Sequence, residues 1–342
     1  MTDVQRDPLP EPEAYPHHAP VETRLRFVLP FAVLAPSSHN TQPWLFRIEG
    51  DHIDLLANRT RALPVVDPDD RQLAISCGAA LHHLRTALAA CGERVEVKLR
   101  PYPGIVDVLA RVAARGKTEP DSLALERLAA AARRRTTRYP FQPTTVSTRA
   151  IDRVWEAARA EGAELHVLEE DVKNAVVKLV VEGDHEQMAD RSFRRELASW
   201  MHGNRTGHRD GMPGYAHGLG DVLAAVGPAV VRTFDLGKSQ AAKDVELAEH
   251  SPILALLATR GDTVLEWLDT GQALSALLLD ATSAGLSASF LNQPIEVPAL
   301  RVEVANLFAP GTVPQLLLRL GAYAGEPPRL TPRRPVEQVL LK

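Results

Sequence analysis

The chain has 342 residues, 45% hydrophobic and 24% charged, with a net charge of −4. This is enough apolar mass for one large core or two ordinary ones, and the mildly acidic balance with only local arginine clusters excludes an electrostatic footprint for nucleic acid. The two cysteines, Cys77 and Cys91, have neither metal-ligand nor CxxC spacing, so they read as buried packing thiols in a reducing compartment.

The first twenty residues, MTDVQRDPLPEPEAYPHHAP, are Pro-rich and acidic with no apolar stretch of their own. They read as a flexible N-terminal segment, extended unless docked elsewhere, and not as a secretory signal, which places the protein in the cytoplasm. Val21 to Leu34 has helical spacing and stops at Pro36. Trp44 to Ile48 and His52 to Ala57 read as two strands joined at Glu49-Gly50-Asp51. A long helix is expected over Asp70 to Ala90, ended by Gly92, then a strand over Arg94 to Arg100 and a helix over Asp121 to Arg133.

The rhythm then repeats. Helices are expected over Thr148 to Ala160, Val172 to His185, Arg191 to Met201, Thr263 to Ala284 and Pro298 to Leu307, and strands over Glu164 to Leu168, Ser251 to Thr259 and Gln315 to Leu320. The apolar run Leu265 to Leu286 holds Glu266, Asp269 and Asp280, which suits a helix with one wet edge and not a membrane span. Residues 202–247 break the rhythm with HGNRTGHRDGMPGYAHGLG and read either as a lid or as a surface excursion.

Two segments resemble each other. Residues 72–92 read QLAISCGAALHHLRTALAACG and residues 265–285 read LEWLDTGQALSALLLDATSAG. Gly78 aligns with Gly271, Leu81 with Leu274 and Gly92 with Gly285. Two long amphipathic helices share some Leu and Ala by chance; as a true repeat, the match implies two related halves packed as a pseudo-dimer. Helices alternating with short strands give an α+β fold with a mixed sheet.

Two segments concentrate polar chemistry. Ala35 to Trp44 reads APSSHNTQPW, either an ordinary helix-to-strand turn or a cluster of donors and acceptors suited to the edge of a polar heterocycle. Arg134 to Phe141 reads RRTTRYPF. An arginine run is often a solvated face, but in an extended segment Arg134, Thr136 and Arg138 share one side and make a phosphate cradle. A second basic pair, Arg333-Arg334, lies near the C-terminus.

In this order the segments resemble the nitroreductase family of FMN enzymes over nearly the whole chain, in its tandem Acg-type branch. The family's P-S-S-x-N-x-Q-P-W turn appears as Pro36-Ser37-Ser38-His39-Asn40-Thr41-Gln42-Pro43-Trp44. Its R-x-S-x-[RK] motif appears as Arg134-Arg135-Thr136-Thr137-Arg138, with Thr for Ser, and its P-I-E-G turn as Pro294-Ile295-Glu296-Val297, with Val for Gly. Arg333 and Arg334 match its C-terminal basic pair. The resemblance implies FMN as cofactor, NAD(P)H and a small electron acceptor as partners, and hydride transfer in two steps to a nitro or quinone-like compound. It implies that Arg134, Thr136 and Arg334 hold the phosphate, that Arg138 faces the N1/O2 edge, that Pro36, Ser37, Ser38 and Asn40 line the ring and ribityl chain, and that peptide N–H groups near Glu296 and Val297 address N5.

Ordinary family members carry every motif in each subunit and form two sites across a dimer. Here the turn occurs only in the first half (21–132) and the arginine motif only in the second (133–342), which implies one complete site per chain and a monomer able to fold alone, with further homodimerisation open. The alternative within the branch is an FMN-sequestering protein whose 202–247 lid denies substrates the flavin. Gly237-Lys238-Ser239 lacks the remaining P-loop glycine, no GxGxxG or metal-ligand spacing is present, and His82-His83 reads as a polar edge of its helix.

Overall fold

The computed structural model describes residues 6–342. In chain order the first half comprises α1 (Val21–Ala32), β1 (Trp44–Glu49), β2 (His52–Ala57), α2 (Arg71–Ala90), β3 (Glu93–Leu99), β4 (Val108–Lys117) and α3 (Ser122–Arg133). The second comprises α4 (Thr148–Ala160), β5 (Glu164–Val167), α5 (Glu170–Ala189), α6 (Arg191–Ser199), β6 (Met201–His202), β7 (Met212–Pro213), α7 (Asp221–Thr233), α8 (Gly237–Glu249), β8 (Ile253–Thr259), α9 (Val264–Ser283), β9 (Ser287–Phe290), α10 (Gln293–Glu296), α11 (Pro298–Asn306) and β10 (Val313–Gly321). The stretch 202–247, expected to lack periodic structure, holds β7, α7 and most of α8.

The halves are related. One antiparallel sheet runs β1-β2-β4-β3 and the other β5-β8-β10-β9. If α2 is matched to α9, the strands before and after each helix fall in the same spatial order, so the repeat seen in the two helix sequences extends to topology. Each sheet becomes mixed at one edge through a parallel bridge from elsewhere in the chain: Leu340 lies beside Phe46, and Thr136 beside Ala288. The C-terminus of the second half therefore completes the sheet of the first, and covalent continuity does for the pair what subunit exchange does in a dimer.

Helices α2 and α9 pack along each other at the centre. All but two of the twenty residues of α2 are buried, which is why its sequence is apolar around most of its circumference and not along one stripe. At the crossing sit the two aligned glycines: a Cβ on Gly78 would meet the carbonyl oxygen of Leu268 at 2.3 Å, and one on Gly271 would meet that of Ile75 at 2.0 Å. Helix starts are capped locally. Asp67 accepts from the N–H groups of Gln72 and Leu73 at 3.0 and 2.9 Å, Asp121 and Ser147 cap α3 and α4, and Thr263 and Glu266 form a capping box on α9.

His82 and His83 are buried and not a polar edge, because α2 has no wet side at that point. His82 Nδ1 lies 2.9 Å from Ser275 Oγ across the α2–α9 contact, and His83 Nδ1 donates to the carbonyl of Phe31 at 3.1 Å. Both cysteines are buried free thiols. Residues 6–20 lie along the body: Tyr15 is buried and its hydroxyl donates to Glu93, and Arg6 Nε donates to the carbonyl of Thr331. Among the described residues no helix is long and apolar enough to cross a membrane.

Candidate functional site

A cavity of about 300 Å³ lies where the halves meet, walled by α2 and α9, the 36–40 turn, the 134–138 segment, α5, α8, α10 and residues 328–333. Of the residues expected from sequence, Pro36, Ser37, Ser38, Asn40, Arg134, Thr136, Arg138, Glu296 and Arg333 line it. Pro294, Ile295, Val297 and Arg334 do not.

The alternation of the arginine segment follows from its pairing. Thr136 forms a parallel bridge with Ala288, and the N–H of Thr137 donates to Ala288 O at 2.9 Å, which holds the segment extended. Arg134, Thr136 and Arg138 therefore face the cavity, and Thr137, fully buried, faces away; Arg135, ahead of the bridge, reaches the rim of the cavity and donates to the carbonyl of Pro328. The guanidinium of Arg134 makes no hydrogen bond or ion pair with any described residue, and its Nε is buried without a partner. Burial, with Arg6 and Arg135 beside it, pushes Arg134 down to about 9. Arg138 is lowered by burial and donates to the carbonyl of Ala216 at 3.2 Å.

Arg333 is lowered by burial and by Arg6 and Arg134, and Arg6, with two buried nitrogens lacking partners, is lowered to about 10. Three guanidiniums thus act on one another with no carboxylate paired to any of them among the described residues. Such a cluster is costly unless an anion joins it. Sequence reasoning missed Arg6, which comes from the segment read as flexible.

The P-S-S-x-N turn is built differently from the expectation. His39, Asn40 and Gln42 all have left-handed backbone, with φ of 49°, 55° and 52°, a conformation that non-glycine residues hold only when the surroundings enforce it. The enforcement is visible. Asn40 Nδ2 donates to the carbonyls of Gly211 (3.0 Å) and Pro332 (3.3 Å), and its Oδ1 accepts from Arg333 at 3.0 Å. Ser37 Oγ accepts from the N–H of Gln42 at 3.0 Å, and Ser38 Oγ donates to Gln72. The polar atoms of Asn40 are thus taken up in joining the turn to the 211 loop and the C-terminal arm. They shape the wall and are not left free toward its interior.

The basic pair splits for the same reason that the arginine segment alternates. Arg333 faces the cavity and also donates to the carbonyl of Leu34 and to Thr331 Oγ1, while Arg334, also buried, points away from the cavity and donates to the carbonyls of Gln42 (3.2 Å) and Gln338 (2.6 Å). Of the pair, Arg333 therefore reaches the cavity and Arg334, expected there from sequence, does not. The Pro294-Ile295-Glu296-Val297 segment is a helical turn whose N–H groups from Ile295 to Val297 donate to Asn292 and Gln293 carbonyls, so those of Glu296 and Val297 are already engaged. Ile295 and Val297 belong to the apolar core beneath α11, which explains why valine replaces glycine there. Only Glu296 reaches the cavity. Its carboxylate accepts from Gln72 (3.0 Å) and Gln187 (2.8 Å), and burial raises its pKa.

Gln72 and Ser76, one turn apart on α2, and Asp184, Gln187, Lys243, Asp244 and Gln293 also line the cavity. An i, i+4 polar pair on an otherwise apolar helix was the available signal for the first two. The acids carry no motif. His217 and Met212 bring the 202–247 stretch over the same cavity. On the opposite side of the α2–α9 axis, where the glycine alignment carries Ser76 onto Asp269, Arg85 closes a two-pronged pair with Glu161 at 2.8 Å and donates to Gln272. Arg85 is thus neutralised by an ion pair, whereas Arg134 in the cavity has no ion pair among the described residues.

No family model matches the chain. Across 332 residues, 96% of this chain and 94% of the relative, it is 33% identical to a Mycobacterium tuberculosis (strain H37Rv) protein provisionally named an NAD(P)H nitroreductase, Rv3131. It is 30% identical over 322 residues, 92% of this chain and 94% of the relative, to one provisionally named NAD(P)H nitroreductase acg from the same organism. Among solved structures, the FMN and NADPH-dependent nitroreductase NfnB from Sphingopyxis sp. strain HMH is 17% identical, with 62% of this chain and 96% of that chain covered and a TM-score of 0.41. The FMN-dependent NfnB from Mycobacterium smegmatis in complex with NADPH is 15% identical, with 64% and 97% covered and a TM-score of 0.38.

Proposed function

Because the chain belongs to the nitroreductase family, we propose that it binds one FMN in the cavity between its halves and works as an NAD(P)H-dependent oxidoreductase. The observation that carries the reading is the buried guanidinium of Arg134, unpaired beside Arg6 and Arg333 in a cavity of ligand size. A phosphate ester supplies the missing charge and accepts from several of these donors at once.

On this reading Arg134, Thr136 and Arg333 hold the phosphate, with Arg6 adding positive potential from behind. Arg138 supplies positive charge elsewhere along the cavity, where it favours an anionic reduced ring. Pro36, Ile75, Leu274 and Leu316 supply apolar wall, and Gln72, Ser76 and Asn292 supply polar groups between. Bound FMN supplies the chemistry of taking a hydride from nicotinamide and passing it to a nitro or quinone-like acceptor. No side-chain nucleophile is required, and the buried free thiols suit a reducing, cytoplasmic setting.

The first test is stoichiometry and turnover. Purified protein reconstituted with FMN is expected to hold one flavin per chain by absorbance, to be bleached anaerobically by NADH or NADPH, and to reduce a nitrofuran or quinone. Flavin bound at two per chain would break the single-site reading. Protein that is yellow but resists nicotinamide and turns nothing over would leave flavin storage under the 202–247 roof as the function.

A further inference from the structure

One wall of the cavity is acidic. Asp184 on α5 and Asp244 on α8 both line it, and they are 2% and 4% exposed. Packing brings them together. At Gly183 a Cβ would stand 2.9 Å from the backbone carbon of Gln293, so α10 lies against α5. The Gln293 side-chain amide then donates to both acids, to Asp184 Oδ1 at 3.1 Å and to Asp244 Oδ2 at 2.6 Å. Gln240, one turn before Asp244, donates to the same Asp244 oxygen at 2.8 Å. The other oxygen of Asp184, Oδ2, is buried and receives no N–H or O–H from a neighbouring side chain, and the two carboxyl groups lie within hydrogen-bond reach of each other.

Charges act on the pair from every neighbouring element. Asp184 faces Asp244 and Glu296, both of which disfavour its ionisation. Asp244 is acted on by Lys243 of its own helix, by Arg138 of the 134–138 segment and by Arg319 of β10. Burial raises both carboxyls; hydrogen bonds from Gln240 and Gln293 and the charge of Lys243 offset part of the rise at Asp244, while the like charge of Asp244 adds to it at Asp184. Two carboxyls in one dehydrated site do not both ionise. Burial and the Asp244 charge push Asp184 up to about 8.

We propose that Asp184 and Asp244 form a proton-holding dyad, and that Asp184 Oδ2 gives its proton to a quinone as the quinone is reduced by two electrons. This rests on the oxidoreductase reading above. The balance is quinone + NAD(P)H + H⁺ → hydroquinone + NAD(P)⁺. The hydride equivalent lost by the nicotinamide supplies both electrons and one of the two hydroxyl hydrogens of the hydroquinone; the O–H bond of Asp184 breaks as the second O–H bond forms on the acceptor, and the resulting carboxylate regains a proton from water.

The test has two readouts. In FMN-free protein at neutral pH, infrared difference spectroscopy is expected to show a protonated-carboxyl band that titrates near pH 8 and is missing in Asp184→Asn. In FMN-loaded protein, Asp184→Asn is expected to slow quinone reduction by about 10²-fold or more, and Asp184→Glu, which restores a carboxyl, to recover part of that loss. Asp244→Asn, which removes the neighbouring charge, is expected to move both the band and the alkaline limb of the quinone step to lower pH, a shift that a merely structural acid would not produce. No carboxyl band at neutral pH, or quinone reduction unchanged in both variants, overturns the proposal. Loss of flavin binding in the wild type would overturn the oxidoreductase reading instead, and is seen separately in visible absorbance.

Discussion

Gly78 and Gly271 meet back to back at the crossing of α2 and α9, where a Cβ on Gly271 would stand 2.8 Å from the Cα of Gly78 and 2.0 Å from the carbonyl oxygen of Ile75. These are the residues that the alignment of the two helix sequences pairs, so the pseudo-twofold relation between the halves runs through the one place where neither helix has a side chain. The obstructing atoms are backbone and cannot rotate aside. Gly271→Ala is expected to force the helices apart and to cost about 1–3 kcal/mol or more, as overpacking does. Because the cavity lies between the same two helices, FMN retention should fall with the urea midpoint. A Gly271→Ala protein with an unchanged midpoint would mean that the helices do not cross this closely.

Arg134 makes an opposite pair of effects testable. With no partner among the described residues, its guanidinium is a buried charge that the apo-protein keeps at a cost. Arg134→Met retains the apolar stem and removes the charge. The apo form is expected to be at least as stable as wild type in thermal melts, while FMN affinity falls by about 1.5–3 kcal/mol, roughly 10–150-fold. Equal flavin retention in both proteins would remove Arg134 from the site.

What the sequence made legible and what it hid divide along physical lines. Long helices such as α2 and α9 announce themselves by extended apolar runs closed at Gly92 and Gly285, and the strands β1 and β2 by their turn. β4 does not, because Val108 to Lys117 is rich in alanine and interrupted by arginines. β9, four residues reading SASF, has almost no strand signal of its own and is held by pairing with β10. In the cavity, motif residues were found wherever the motif sets direction through alternation, as with Arg134, Thr136 and Arg138. They failed at Pro294, Ile295 and Val297, whose orientation depends on a helical turn, and at Arg334, whose orientation depends on which side of an extended arm faces inward. Asp184 and Asp244, sixty residues apart and without a motif, become neighbours only because α5 packs against α8, with Gln293 donating to both.

The split of the basic pair gives a comparison within two adjacent residues. Arg333→Ala removes a cavity guanidinium and also the bond to Asn40 Oδ1 that holds the left-handed turn. It should weaken FMN binding by at least tenfold. Arg334→Ala loses its bonds to the carbonyls of Gln42 and Gln338, which tie the C-terminal arm to the first half. It should lower the thermal midpoint and leave the flavin affinity of the folded protein near wild type. Titration of FMN into both variants by fluorescence quenching distinguishes them, and the reverse ranking would restore the phosphate role to Arg334.

Acid should act through the histidines that the structure buries. His83 is 1% exposed, its Nε2 has no partner, and burial beside Arg134 pushes it down to about 3 from an ordinary 6.5. A depressed histidine is neutral in the folded state while the unfolded chain takes up a proton below about 6.5. Its contribution to stability is therefore complete above that pH and is lost progressively as pH falls from there toward about 3. Asp184, with its raised value, has the opposite sign and is stabilising toward acid, so the raw pH profile mixes both. The difference between wild type and His83→Asn isolates one of them. Asn can still donate to the Phe31 carbonyl but leaves some space unfilled, so the variant should be less stable near pH 7.5, with the gap narrowing steadily as the buffer is taken to about pH 5. A gap constant across that range in urea melts would show that His83 is not held neutral by burial.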